Sequence, residues 1–235
     1  MDTQVVPFIR PAAVLELDVV ADFACPWSYL GKRSLEQALG QLYGAPARTL
    51  RWHGFPLSPQ RPVQPASWES YLASRLPPGV AVSDAQQSLA AAGEQLGIHF
   101  AFDRLKTLPD TREAHRLVRL AAREGRDSEV VDALFAGFFE RGLDIASREV
   151  LAQIAREVGL TEATLKAFES SEDAADEVES ELRRLRSLGV NAVPNLLING
   201  RILVPGPADA NIYVHALDQA LFPQSADEQA PARLH

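Results

Sequence analysis

Helical periodicity runs almost unbroken from Ser83 to Leu188, and strand character stands on both sides of it. Strands that precede such a block must find partners among strands that follow it, so any sheet is assembled from distant parts of the chain. On the first side, Val14 to Phe23 alternates apolar and acidic positions and then becomes continuously apolar, as a strand entering a sheet does. Trp27, Leu30, Leu35, Ala38 and Leu39 then fall close to helical spacing, and Arg48 to Trp52 reads as a second strand. On the far side, Ala192 to Val204 carries Asn199-Gly200 between two apolar runs, a strong short hairpin signal, and a helix over Pro207 to Leu221 follows. The order predicts an α/β fold: one mixed sheet built from a βαβ unit and a terminal ββα unit, with a large all-helical insertion between them.

Within the block, Ser83 or Asp84 is expected to cap a helix that ends at Gly97. Ala114, Leu117, Val118 and Ala121 mark a second helix after Thr111, and Asp127 to Arg141 a third. A helix opening at Ser147 should stop at Gly159, and Thr161 should begin a short one. Glu172 to Leu188 is a charged helix with a narrow apolar stripe, which brings the expected total to five or six. The proline-bearing segment from His53 to Ser67 reads as irregular surface, and the tail from Pro223 to His235 as frayed.

The chain has 235 residues, 46% of them hydrophobic and 23% charged, enough for a substantial core. A formal charge of −8 argues against a nucleic-acid surface. No run approaches the ~18 apolar residues of a membrane span, and the start lacks a secretory pattern, so the expected location is the cytoplasm. The single cysteine and scattered histidines give no zinc-like spacing, so no metal is expected.

That cysteine, Cys25, stands in Asp22-Phe23-Ala24-Cys25-Pro26-Trp27-Ser28-Tyr29-Leu30, between a strand and the first turn of a helix. Pro26 suits the first helical position, where its missing N–H costs nothing. The free N–H groups of a helix start stabilise a thiolate, and sites of this kind lower a cysteine pKa from about 8.5 into the range of roughly 3.5–7.5. A depressed pKa is therefore the expectation here. One thiol cannot close a disulfide within the chain, so disulfide chemistry must pass through a mixed disulfide with another molecule. His53 and His115 are placed near Cys25 by no periodicity and read as structural residues.

These residues resemble the DsbA-like thioredoxin superfamily, most closely its cytosolic FrnE-type branch related to polyketide-biosynthesis oxidoreductases. The resemblance rests on Cys25, Pro26, Trp27, Tyr29, Gly31 and Lys32, on Trp52 to Pro59, on Ala114 to Leu117, and on Gly189 to Pro194 with Ile198-Asn199-Gly200. It covers residues 14 to 222 and implies a thioredoxin-like domain over 14–66 and 189–222, with an inserted helical domain over 67–188. It further implies a cis Val193-Pro194 bond facing Cys25, with the Val193 backbone pairing with substrate. Ser28 departs from the pattern, since family members typically have a second cysteine there. Ser28-Tyr29-Leu30 is also similar to the kappa glutathione transferases and 2-hydroxychromene-2-carboxylate isomerases, whose first position is usually serine.

The leading expectation is a monothiol thiol-disulfide oxidoreductase with Cys25, Pro26, Trp27 and Ser28 at the catalytic site. Val193, Pro194, Trp27 and Tyr29 are the substrate-binding candidates, with Trp27 read equally as packing. No tightly bound cofactor is expected; glutathione or another low-molecular-weight thiol is the implied co-substrate, and the other substrate is a small or protein disulfide. A kappa-type glutathione-dependent transferase or isomerase is the alternative, and a redox-inactive peptide-binding protein the third reading. The resemblance allows a homodimer, although no self-complementary patch is legible.

Overall fold

The computed structural model describes residues 14–44, 46–57 and 66–222; the segment around Pro59, Pro62 and Pro65 and the tail from Pro223 lie outside the described residues. Four strands form one sheet in the order β2-β1-β3-β4, with β1 (Leu15–Ala21), β2 (Arg48–Gly54), β3 (Asn195–Ile198) and β4 (Ile202–Pro205). The β1–β2 pair is parallel, joined by α1 (Pro26–Gln41), while β3 runs antiparallel to both β1 and β4. Asn199 and Gly200, both with positive φ, make the hairpin turn. Asn199 also extends the ladder: its amide donates to the Glu16 carbonyl at 2.8 Å and its Oδ1 accepts from the Glu16 amide at 2.8 Å.

The alternation of β1 assigns its two faces. Leu15, Leu17 and Val19 enter the main core with α1 and α9 (Ala210–Leu221), which also pack on each other. Val20 points the other way, into a small apolar cluster with Phe55, Leu182 and Leu185. Seven helices lie between β2 and β3 among the described residues: α2 (Trp68–Ala73), α3 (Val82–Gln95), α4 (Arg112–Ala122), α5 (Asp127–Phe139), α6 (Arg148–Val158), α7 (Glu162–Ser170) and α8 (Ala175–Ser187). The Ser147, Gly159 and Thr161 boundaries stand as expected, with Ser147 and Thr161 side chains accepting from Val150 and Thr164 amides and Gly159 at φ +84°. Two expectations need correction. The short α2, capped by Ser67, is too brief for periodicity to reveal. Helix α3 starts at Val82 behind Ala81, ahead of the polar pair Ser83-Asp84, because the Val82 side chain packs against the core.

An ion cluster fastens α8 to the sheet. His53 on β2 sits 2.8 Å from Asp18 on β1 through Nε2 and 2.7 Å from Glu181 on α8 through Nδ1, and Arg119 on α4 also pairs with Glu181. Burial works against the charged form of His53, but the hydrogen bonds from Glu181 and Asp18 outweigh it and raise its pKa above 6.5. Burial likewise opposes the Glu181 carboxylate, yet His53 and Arg119 hold it at about 2, below the ordinary 4.5. A raised histidine stabilises the fold fully below its unfolded pKa and loses that effect as pH rises through the folded one. A depressed carboxylate stabilises above its unfolded pKa and loses the effect as pH falls. Stabilisation by this pair is therefore complete between 4.5 and 6.5. Urea midpoints measured across pH should plateau in that window and fall on both sides, and Glu181→Gln should flatten both limbs.

Candidate active site

The sheet topology gathers the site. Because β3 is antiparallel to β1, Asn195 lies opposite Val20, so the residues just before β3 meet the residues just after β1. Cys25 is the N-cap of α1, with extended backbone, and Pro26 takes the first helical position. Across from it, Val193-Pro194 is a cis peptide, and the Cys25 thiol donates to the Val193 carbonyl with Sγ and O 3.8 Å apart. Helix α1 approaches closely here: a Cβ on Gly31 would stand 3.3 Å from the Pro194 ring and 3.3 Å from the Tyr213 hydroxyl. Glycine at position 31 permits the helix to reach the turn.

The electrostatics correct the sequence expectation. Cys25 is 2% exposed, and burial pushes its thiol up to about 11 rather than down. The Ser28 hydroxyl and amide and the Trp27 amide all favour the thiolate, as expected at a helix start, while the Asp22 charge opposes it. Desolvation is the larger effect. Alkylation of Cys25 should consequently keep rising with pH through 8 and 9 and level off only near 11; a plateau below the ~8.5 of free cysteine would contradict this.

The other predicted residues divide. Ser28 is buried beside Cys25, with its Oγ lacking a hydrogen-bond partner of good geometry, and Trp27 is half-buried against the core. Tyr29 is buried against the helical insertion. Its ring stacks on Phe135 of α5 at 5.0 Å, and its hydroxyl donates to Glu140, so it ties α1 to the helical insertion. Side chains two positions apart on a helix do not share a face, which separates Trp27 from Tyr29.

Sequence reasoning missed the groups behind the thiol. Asp22 is 1% exposed; its backbone carbonyl accepts from the Cys25 amide at 3.1 Å, and its Oδ2 accepts from the Leu57 amide at 2.7 Å. Its Oδ1 faces His115 Nε2 at 3.4 Å, and among the described residues neither atom has another hydrogen-bond partner. His115 therefore belongs to the neighbourhood of Cys25, although it comes from α4. Gly54 allows this: a Cβ there would lie 2.7 Å from the His115 ring. Beyond His115, a cavity of about 10 Å³ bordered by His53, Arg119 and Glu181 is just large enough for one water. Tyr71 of α2 is also near, since burial and then the Cys25 and Asp22 charges raise its pKa. The available signal was the Asp-x-x-Cys spacing, which joins Asp22 to the same loop as the thiol.

A family model described as the DSBA-like thioredoxin domain matches residues 16–218. The chain belongs to that family. Among solved members of similar fold, the probable DsbA oxidoreductase of Streptomyces coelicolor superposes with a TM-score of 0.75 at 26% identity, covering 94% of each chain. The cytosolic disulfide reductase DsbM of Pseudomonas aeruginosa, solved with GSH, gives 0.58 at 20% identity over 87% of this chain and 95% of its own. A 2-hydroxychromene-2-carboxylate isomerase gives 0.61 at 19% over 87% and 93%. At those identities the last two establish the shared fold alone. The uncharacterized protein YwbO of Bacillus subtilis is 24% identical over 208 residues, 86% of this chain and 96% of its own length. The thioredoxin-like fold with its helical insertion is thus a DSBA-like one. Among the described residues no helix is long and apolar enough to cross a membrane.

Proposed function

We infer that this protein exchanges thiols and disulfides through Cys25 alone, with a low-molecular-weight thiol such as glutathione as second substrate. The observation that carries the reading is the position of this one cysteine at the N-cap of α1, directly across from the Val193 carbonyl. Membership of the DSBA-like family and the likeness to a disulfide reductase solved with GSH support it.

The Cys25 thiolate attacks a disulfide RS–SR′; the Cys25–SR bond forms as the old S–S bond breaks, and R′S⁻ leaves and takes up a proton. A second thiolate, R″S⁻, then attacks the sulfur of SR. It leaves as RS–SR″, and Cys25 regains its electron pair and its proton. Across both steps R″SH and RS–SR′ become RS–SR″ and R′SH. Ser28 offers only a hydroxyl and cannot perform the second step. The buried thiol must first become accessible to substrate. Once it is, the desolvation penalty falls away while the donors from Trp27 and Ser28 remain to favour the thiolate. A reducing compartment such as the cytoplasm supplies the resolving thiol. With glutathionylated peptide and glutathione both varied, initial rates should give the parallel double-reciprocal lines of a ping-pong mechanism. Intersecting lines would mean that the two substrates meet on the protein without a covalent intermediate.

The raised pKa of Cys25 favours a second reading, in which the protonated thiol and the Ser28 hydroxyl both donate to the thiolate of bound glutathione. That is the arrangement a kappa-type transferase or isomerase needs. It predicts that glutathione conjugation survives Cys25→Ser, whereas the exchange reading requires disulfide turnover to be lost.

A further inference from the structure

We propose that an open cleft, whose Leu57 side adjoins the loop carrying Cys25, binds the carboxylates of an anionic low-molecular-weight disulfide through Arg75 and Arg186. The inference rests on the exchange reading above and names its substrate class. The cleft measures about 520 Å³, within the size range of small-molecule sites. Phe55, Pro56 and Leu57 form one side of it and Val190 part of the other.

Its charge sets it apart. The chain carries 31 acidic against 23 basic residues, yet among the described residues the charged groups lining this cleft are two arginines and no acid. Many of the arginines elsewhere are spoken for: Arg51, Arg112, Arg119, Arg123 and Arg148 each meet one or more carboxylates. Among the described residues neither Arg75 nor Arg186 has a carboxylate partner. Each guanidinium lies over an aromatic ring, Arg75 over Tyr71 at 5.3 Å and Arg186 over Phe55 at 5.7 Å. Stacking restrains the side chain and leaves the edge of its planar fork for a carboxylate. Helix polarity favours a cation at both places, Arg186 in the last turn of α8 and Arg75 just past the Ser74 C-cap of α2, and the fold brings the two helix ends to one cleft.

Both sides of the cleft connect to the sulfur. The Leu57 amide donates to Asp22 Oδ2 at 2.7 Å, and the Asp22 carbonyl accepts from the Cys25 amide at 3.1 Å. Val190 and Phe55 share an apolar cluster with Val193, whose carbonyl is 3.8 Å from Sγ. The segments that line the cleft thus adjoin the loop that carries Cys25, and an acidic protein gains there a local attraction for an anionic substrate that its net charge repels.

The test compares two disulfides on the full chain: glutathione disulfide, which carries carboxylates, and oxidised mercaptoethanol, which is uncharged. Formation of the Cys25 adduct is followed by intact mass for the parent and for the double variant Arg75→Gln/Arg186→Gln. The expected result is a fall of about tenfold in the rate with glutathione disulfide and no change with oxidised mercaptoethanol. An equal effect on both disulfides, or none on either, overturns the carboxylate site while leaving exchange at Cys25 intact. Failure of the parent to form an adduct with either disulfide overturns the exchange reading and this inference with it.

Discussion

Cys25→Ser is expected to lower disulfide turnover by at least about a thousandfold, because it removes the nucleophile and leaves only whatever binding and positioning the groove provides. The substitution is nearly isosteric, so the fold should persist. Circular dichroism and the urea midpoint check that the loss is chemical rather than structural. The companion substitution Ser28→Cys places a second thiol beside the first in the opening turn of α1. Its mixed disulfide should then resolve within the chain, releasing RSH and leaving a disulfide between positions 25 and 28, so a single turnover should proceed without glutathione while further turnovers need a thiol to restore the reduced pair. If Cys25→Ser kept the parent rate, the reacting sulfur would belong to a bound ligand, and the transferase reading would stand in its place.

Arg116→Ala is expected to cost about 3–5 kcal/mol of stability, the range for breaking a buried charged contact by removing one partner. Arg116 is 1% exposed on α4, and its guanidinium is committed on every side. Nη2 donates to the Phe168 carbonyl at 2.6 Å, and Nη1 to the Ser171 and Asp173 carbonyls at 3.1 and 3.2 Å. Nε donates to Glu113 at 3.1 Å, and the plane lies 4.5 Å over the Phe168 ring. One side chain thus closes the C-terminal end of α7 and fixes the turn into α8. Removing it strands the buried Phe168 carbonyl and releases the more exposed Ser171 and Asp173 carbonyls, and lysine, a point charge, cannot serve all three. Thermal unfolding should fall by roughly 10 °C, given about 2–4 °C per kcal/mol for a chain of this size. Arg123→Ala, whose partners Asp173 and Glu177 are exposed, should change little and serves as the control.

The parts of the molecule legible in the sequence are those governed by local rules. Alternation revealed β1, Asn199-Gly200 revealed the hairpin, and Ser147, Gly159 and Thr161 marked helix ends because capping and positive φ are settled within a few residues. Cys25-Pro26 likewise announced a helix start. Burial is what local rules do not contain. The same helix start that favours a thiolate is covered by the assembled fold, and desolvation reverses the expected direction of the Cys25 pKa. The approach of His115 to Asp22 depends on α4 crossing the end of β2 at Gly54, a contact between positions far apart in the chain. Tyr29 shows the same dependence on assembly. A residue next to a reactive position in sequence is turned by helical geometry into the core against Phe135. Arg75 and Arg186, ordinary surface arginines in the sequence, stand out only when their common cleft is seen.

The most direct test of the central claim is intact-mass analysis of the full chain mixed with a glutathionylated peptide before any free thiol is added. The account predicts one glutathione per chain, located at Cys25 and released when reduced glutathione is supplied. Turnover of the peptide on adding glutathione, with Cys25 never modified, would contradict it.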